Sequence, residues 1–261
     1  MDIENPSLFY SAHARCDRAK EHLKDLRTQI DKFFRKKPYT TVTEDDPDGI
    51  HQIHIIRFTE RFPFRWRILA TEIIEHARAS LDHATCASHL AAGGHPDARY
   101  VAFPFVRTPA DLDKSVGGRS KQLLPEIQTL LRSFNCYEGG NDPLYTLNEL
   151  CNVSKHALIA LMAGVASVGE VQGLYDPFAL AGVQFAKNLH WDRATNEIQY
   201  ARTKRGVGFN HYGNLTVFVA IQNKEATSTE SAVAVLDTMV SEAQRVVSAI
   251  KAECRRIGLN G

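Results

Sequence analysis

The sequence predicts an α+β fold that is mainly helical: a bundle of about four long helices, with a β-hairpin and a small antiparallel sheet at its periphery. Three observations lead there. Apolar residues recur every three or four positions over several long stretches, most regularly near the two chain ends. Across 39–60 and again across 176–224 the period shortens to two, among β-branched and aromatic residues. No repeat, low-complexity tract or evident linker divides the chain. Residues 1–261 therefore read as a single helical domain carrying a hairpin insertion at 39–60 and a small antiparallel sheet at 176–224.

Phe9, Ala12, Cys16, Ala19, Leu23, Leu26, Ile30 and Phe33 share one stripe of a first helix that starts at Pro6, a residue with no N–H to leave unpaired in a first turn. Tyr39 to Thr43 and Ile50 to Thr59 are strand-like. The turn between them contains Pro47, which excludes helix, and Gly49, which can take a positive φ. Pro63 opens a second helix, stopped by Gly93 and Gly94, with Trp66, Ala70, Ile73, Ala77, Leu81 and Ala84 as its core stripe. A shorter helix is predicted near Lys121 to Phe134. Asp142-Pro143 caps the next, and Leu144, Leu147, Cys151, Ser154, Leu158 and Leu161 lie on one side of it. Phe178 to Asn188, Ile198 to Thr203 and Leu215 to Gln222 read as strands, with a tight reversal from Asp192 to Asn196. The last helix runs from near Thr229 to Gly258 on Val233, Leu236, Val240, Ala243, Val247, Ile250, Cys254 and Ile257. Its period matches that of the first helix, which predicts that the two pack together or on their copies in a second subunit.

At 261 residues, 44% apolar, the chain can bury a substantial core. A formal net charge of +1 excludes a general polyanion binder, so any nucleic-acid contact must use local clusters. Lys and Arg dominate from Arg15 to Lys37, and Arg57, Arg61, Arg65 and Arg67 follow closely; such runs also serve as solvated helix faces. Five widely spaced cysteines without a Cys-x-x-Cys pair read as small core residues of a reduced, cytoplasmic protein. Neither a signal core nor a run of the ~18 apolar residues needed for a membrane span is present.

The chemistry-bearing stretch is Arg78-Ala79-Ser80-Leu81-Asp82-His83. At ~100° per residue, with the core stripe centred on Ala77, Arg78 falls near 100°, Glu75 and Asp82 near 140 to 160°, and His83 near 240°. Arg78 and His83 thus flank the face opposite the core. Ile68, Ala79, Cys86 and Leu90 make that face apolar enough to pack on another helix or subunit. Asp82 is placed to pair with Arg78 at i, i+4. A second polar group, Asn148, Asn152, Lys155 and His156, lies on the Asp142 helix and suits phosphate or base-edge contacts. Two readings are open. In one, His83 moves a proton and Arg78 holds a phosphate. In the other, Arg78, Asp82 and His83 form a buried network that fixes how helices or subunits meet in a non-catalytic binding or assembly protein.

An Arg followed after four residues by a His on a helix resembles the HEPN superfamily, helical domains named from higher eukaryotes and prokaryotes nucleotide-binding. The resemblance implies a metal-independent endoribonuclease acting as a homodimer, in stress response or phage defence. It gives Arg78, His83 and Asp82 to catalysis and Asn152, Lys155 and His156 to RNA binding, with no cofactor. Ala79 departs from the polar residue that usually follows the Arg in nuclease members. The wider layout is similar to a group of uncharacterised bacterial proteins with an Arg-x-Ala-Leu-Asp-His helix, a Phe-Pro segment (here Phe103-Pro104) and an Asn-x-Asp-Lys-His-Arg helix. In that last motif Ser154 and Ala157 replace the Asp and Arg.

Metal binding is not predicted. His51 and His54 are three apart on a strand and face opposite sides, and His76 and His83 are two turns, ~10 Å, apart along a helix. His13, His22, His89, His95, His190 and His211 read as surface or capping residues. The loop Arg205 to Asn210 has no helix after it and so is not a phosphate-cradling turn.

Overall fold

A computed structural model of the chain describes residues 7–95, 101–168, 183–185, 191–206, 214–221 and 230–259. The order is α1 (Tyr10–Arg35), β1 (Tyr39–Asp45), β2 (His51–Phe58), α2 (Phe64–Ala91), α3 (Pro109–Arg119), α4 (Pro125–Ser133), α5 (Asp142–Ser154), β3 (Leu161–Val168), β4 (Val183–Phe185), β5 (Trp191–Asp192), β6 (Glu197–Lys204), β7 (Asn214–Ile221) and α6 (Ala232–Arg256). The fold is α+β with antiparallel pairing throughout the described strands. No described helix is long and apolar enough to cross a membrane.

The chain forms two compact units. One comprises Met1–Leu26, Ile68–Ile159 and Ala234–Gly261; the other comprises Arg27–Arg67 and Ala160–Val233. The first, helical unit is built on the stripes that the apolar period predicts. Phe9, Ala12, Cys16, Ala19, Leu23 and Leu26, then Ala70, Ile73, Ala77, Leu81 and Ala84, then Leu236, Val240, Ala243, Val247, Ile250 and Cys254 are all buried. Within it, the Lys251 charge on the last helix acts on His13 of the first. Two further contacts tie α6 to the unit: Asn141, the N-cap of α5, donates to Glu242 at 2.6 Å, and Arg245 lies over the Phe134 ring.

The second unit holds a sheet of order β1-β2-β6-β4, with β5 also paired to β6, and a separate β3-β7 pair. Ile56, Phe58, Ala163, Ile198, Tyr200, Ala201 and Val217 form its core, with Phe34, Tyr39, Phe62 and Trp191 packed against them. On the sheet, Arg57 bridges Glu44 and Glu197, Arg202 bridges Asp46 and Asp48, and Arg205 pairs with Asp45. These pairs join β6 and the residue after it to the β1-β2 hairpin.

The hairpin at 39–60 pairs through β2 with β6. Three sequence expectations need correction. The helix from Asp142 ends at Ser154, and Leu161, expected on its stripe, begins β3. Leu158 and Leu161 continue a spacing of three and four, so periodicity alone cannot distinguish a helix end from a buried strand start. Pro109–Arg119 forms a further helix, not among the expected elements, and the helix expected from Lys121 starts at Pro125. In both, Pro occupies the first turn, after Thr108 and Leu124 in extended conformation. The strand expected at 178–188 is described only at Val183–Phe185, and Pro6, Thr229 and residues 207–210 lie outside the described residues.

Candidate functional site

The polar arc of α2 is divided between two neighbours inside the helical unit. On one side it meets α5. Arg78 donates from Nε to Asn148 Oδ1 at 3.2 Å and from Nη1 to Asp82 Oδ2 at 2.5 Å, and its guanidinium lies 4.1 Å from the Phe105 ring centroid. The other Asp82 oxygen accepts the backbone N–H of Phe103 at 2.9 Å. One turn earlier, Glu75 accepts from Ser154 at 3.1 Å. Glu75 meets the end of α5 and Arg78 its middle, so the helices run antiparallel. The helices bearing the two predicted polar clusters are therefore packed face to face.

The Arg78–Asp82 ion pair has the i, i+4 spacing expected of it. The Arg78 side chain retains 15% exposure, and its Nη2 has no partner among the described residues. Asn148, named in the sequence only as part of a polar line, is the residue of α5 that reaches Arg78. Asn152, Lys155 and His156 are exposed instead, and Lys155 donates to Asn152 at 3.0 Å. They do not join Arg78.

On its other side α2 meets α1. His76 and His22 stack with ring centroids 5.7 Å apart, Arg15 Nη1 lies 3.1 Å from His76 Nδ1, and His22 Nδ1 lies 3.6 Å from Glu72. His83, two turns beyond His76, is half-buried and feels the Arg15 charge. It makes no hydrogen bond among the described residues, and in particular none to Arg78. The 140° between positions i and i+5 explains this division: the two residues point to different neighbours of one helix.

The environments differ electrostatically. Burial, then the Arg15 charge, lowers the His83 pKa from its ordinary value against a weaker opposing effect of Asp82. Burial and the charges of Arg15, His22 and Arg18 lower that of His76, with Glu72 opposing. Both imidazoles are thus neutral near pH 7. Burial pushes the Cys136 thiol up to about 12 and raises Cys86 and Cys151, so the cysteines around Arg78 and Asp82 are poor nucleophiles.

Among the described residues no group of three His, Cys, Asp or Glu side chains is placed to hold a metal ion. His51 pairs with Asp48, whereas His54 is buried between the hydroxyls of Thr43 and Thr203. His89, expected as a surface or capping residue, is buried, and His22, half-buried, stacks on His76. Arg15, His22 and His76 were not in the predicted site. Their signal was the pair of seven-residue intervals, Arg15 to His22 and His76 to His83, each of which returns to one helix face. Comparison of the chain with family models, curated proteins and solved structures finds no match.

Proposed function

We propose that the chain is a metal-independent endoribonuclease of HEPN type, acting as a homodimer in stress response or phage defence, with His83 as its proton-transfer group. The observation that carries this reading is the state of His83. It is half-buried, neutral near pH 7 and held by no hydrogen bond among the described residues, as a general base needs to be before substrate arrives. His83 takes the proton of a ribose 2′-hydroxyl as that oxygen bonds to the adjacent phosphorus. The bond from phosphorus to the 5′-oxygen breaks, and that oxygen takes a proton from the imidazolium. The products are a 2′,3′-cyclic phosphate and a 5′-hydroxyl end. Arg78 offers its unpartnered Nη2 edge to the phosphate, held in place by Asp82, while Asn152, Lys155 and His156 bind the strand from the exposed end of α5.

A second reading has its own observation. Arg78 is engaged by Asp82, Asn148 and Phe105 together, which suits a non-catalytic binding or assembly protein in which this network fixes helix packing. Incubation of purified protein with end-labelled RNA in chelator separates the two. Nuclease chemistry requires cleavage by wild type, retained in chelator and lost in a folded His83→Ala variant. Absence of cleavage across mixed RNA pools, or undiminished cleavage by His83→Ala, refutes it. Sedimentation of the same samples tests the dimer.

A further inference from the structure

We infer that Arg15, His76 and His83 form a binding site for a phosphate anion, taken here as a phosphodiester of an RNA strand, on the seam between α1 and α2. In its RNA assignment the inference rests on the reading above; as an anion site it stands on its own geometry.

The seam is built by two intervals of seven. Arg15 and His22 recur on one face of α1, and His76 and His83 on one face of α2. The helices run antiparallel, since His22 meets Glu72 and His76 while Arg15 meets His76 and acts on His83. Between the imidazoles on α2 stands Ala79, half-exposed and too small to fill the ~10 Å of helix that separates them.

Arg15 is spent on one short contact, its Nη1 to His76 Nδ1. With the imidazole neutral, Nδ1 is the acceptor, so the proton sits on Nε2. The remaining Arg15 N–H groups have no partner among the described residues, and no carboxylate forms an ion pair with it there. The seam's acids lie at its edges. Glu72 is drawn to His22, and Asp82 is turned to Arg78 and the Phe103 N–H. Arg18, paired with Glu21, adds positive potential. A fixed guanidinium, a neutral imidazole with a free N–H and a second unbonded imidazole are donors that an anionic oxygen requires. Arg15 thereby places a second cation on the His83 side of α2, in addition to Arg78 on the α5 side.

The test uses the full chain and strands that cannot be cleaved. Imidazole Cε1–H resonances are followed by NMR during titration with inorganic phosphate, with a short 2′-deoxy oligonucleotide and, at matched ionic strength, with chloride. Saturable shifts of His76 and His83 with the oligonucleotide, weakened at least tenfold in Arg15→Gln and partly restored in Arg15→Lys, are expected. Saturation by inorganic phosphate alone replaces the RNA assignment with a free-anion site. Absent shifts, equal shifts with chloride, or undiminished binding by a folded Arg15→Gln variant overturn the inference. Circular dichroism and thermal melting establish that each variant is folded, and an unfolded Arg15→Gln leaves the decision to Arg15→Lys and His76→Asn, the latter expected to weaken oligonucleotide binding severalfold. Binding without RNA cleavage removes the nuclease reading and leaves the site. Cleavage undiminished in Arg15→Gln removes the RNA assignment of the site and leaves the nuclease reading.

Discussion

Removing Asp82 should damage the fold more than removing the cation it pairs with. Asp82 accepts twice, from Arg78 and from the backbone N–H of Phe103, whose residue is fully buried. In Asp82→Ala the Phe103 N–H loses its acceptor, at a cost of about 1 to 3 kcal/mol, and Arg78, at 15% exposure, keeps Asn148 and Phe105 but no carboxylate. Loss of a fully buried ion-pair partner costs roughly 3 to 5 kcal/mol, and the residual exposure of Arg78 brings its share well below that. A total of about 2 to 4 kcal/mol follows. In Arg78→Met an apolar side chain replaces the guanidinium that lies over the Phe105 ring, while Asp82, 36% exposed, keeps the Phe103 N–H and gains water. That change should cost about 1 kcal/mol or less. Urea unfolding at neutral pH, with similar m-values required for the comparison, measures both. A larger loss in Arg78→Met than in Asp82→Ala would refute the assignment of Asp82 as the centre of the network.

Gly140→Ala drives a Cβ into the Asn135 carbonyl oxygen, a backbone atom, in the turn that delivers the Asn141 cap to α5. A loss of about 1 to 3 kcal/mol in urea unfolding is expected, and an unchanged midpoint would show that the turn can shift freely. The pH dependence of stability has a definite sign. His13, His76 and His83 have folded-state pKa values lowered from about 6.5, so the unfolded chain binds more protons as pH falls through that value. Their contribution is fully present above about pH 6.5 and is lost as pH falls toward the lowered values. His76→Gln with His83→Gln should flatten the wild-type decline between about pH 7 and 5, and an unaltered slope would place that decline elsewhere.

The sequence by itself determined the helical core. A side chain's angle on a helix follows from its position in the chain alone, so the stripes of α1, α2 and α6 could be read without knowing their partners, and they are buried. The same arithmetic placed Asp82 beside Arg78 and set Arg78 and His83 some 140° apart. What the angle could not state is what fills the space at each bearing. Only the tertiary structure decided that Arg78 faces Asn148 and Phe105 while His83 faces the α1 side, because those partners lie far away in sequence. Strand pairing was undetermined for the same reason: alternation marks Tyr39 to Thr43, Ile50 to Thr59 and Ile198 to Thr203 as strands, but β2 finds β6 across some 140 residues through hydrogen bonds that carry no residue identity. The end of α5 depended on tertiary pairing too, since Leu161 meets Ile221 in a strand ladder that its local spacing does not reveal.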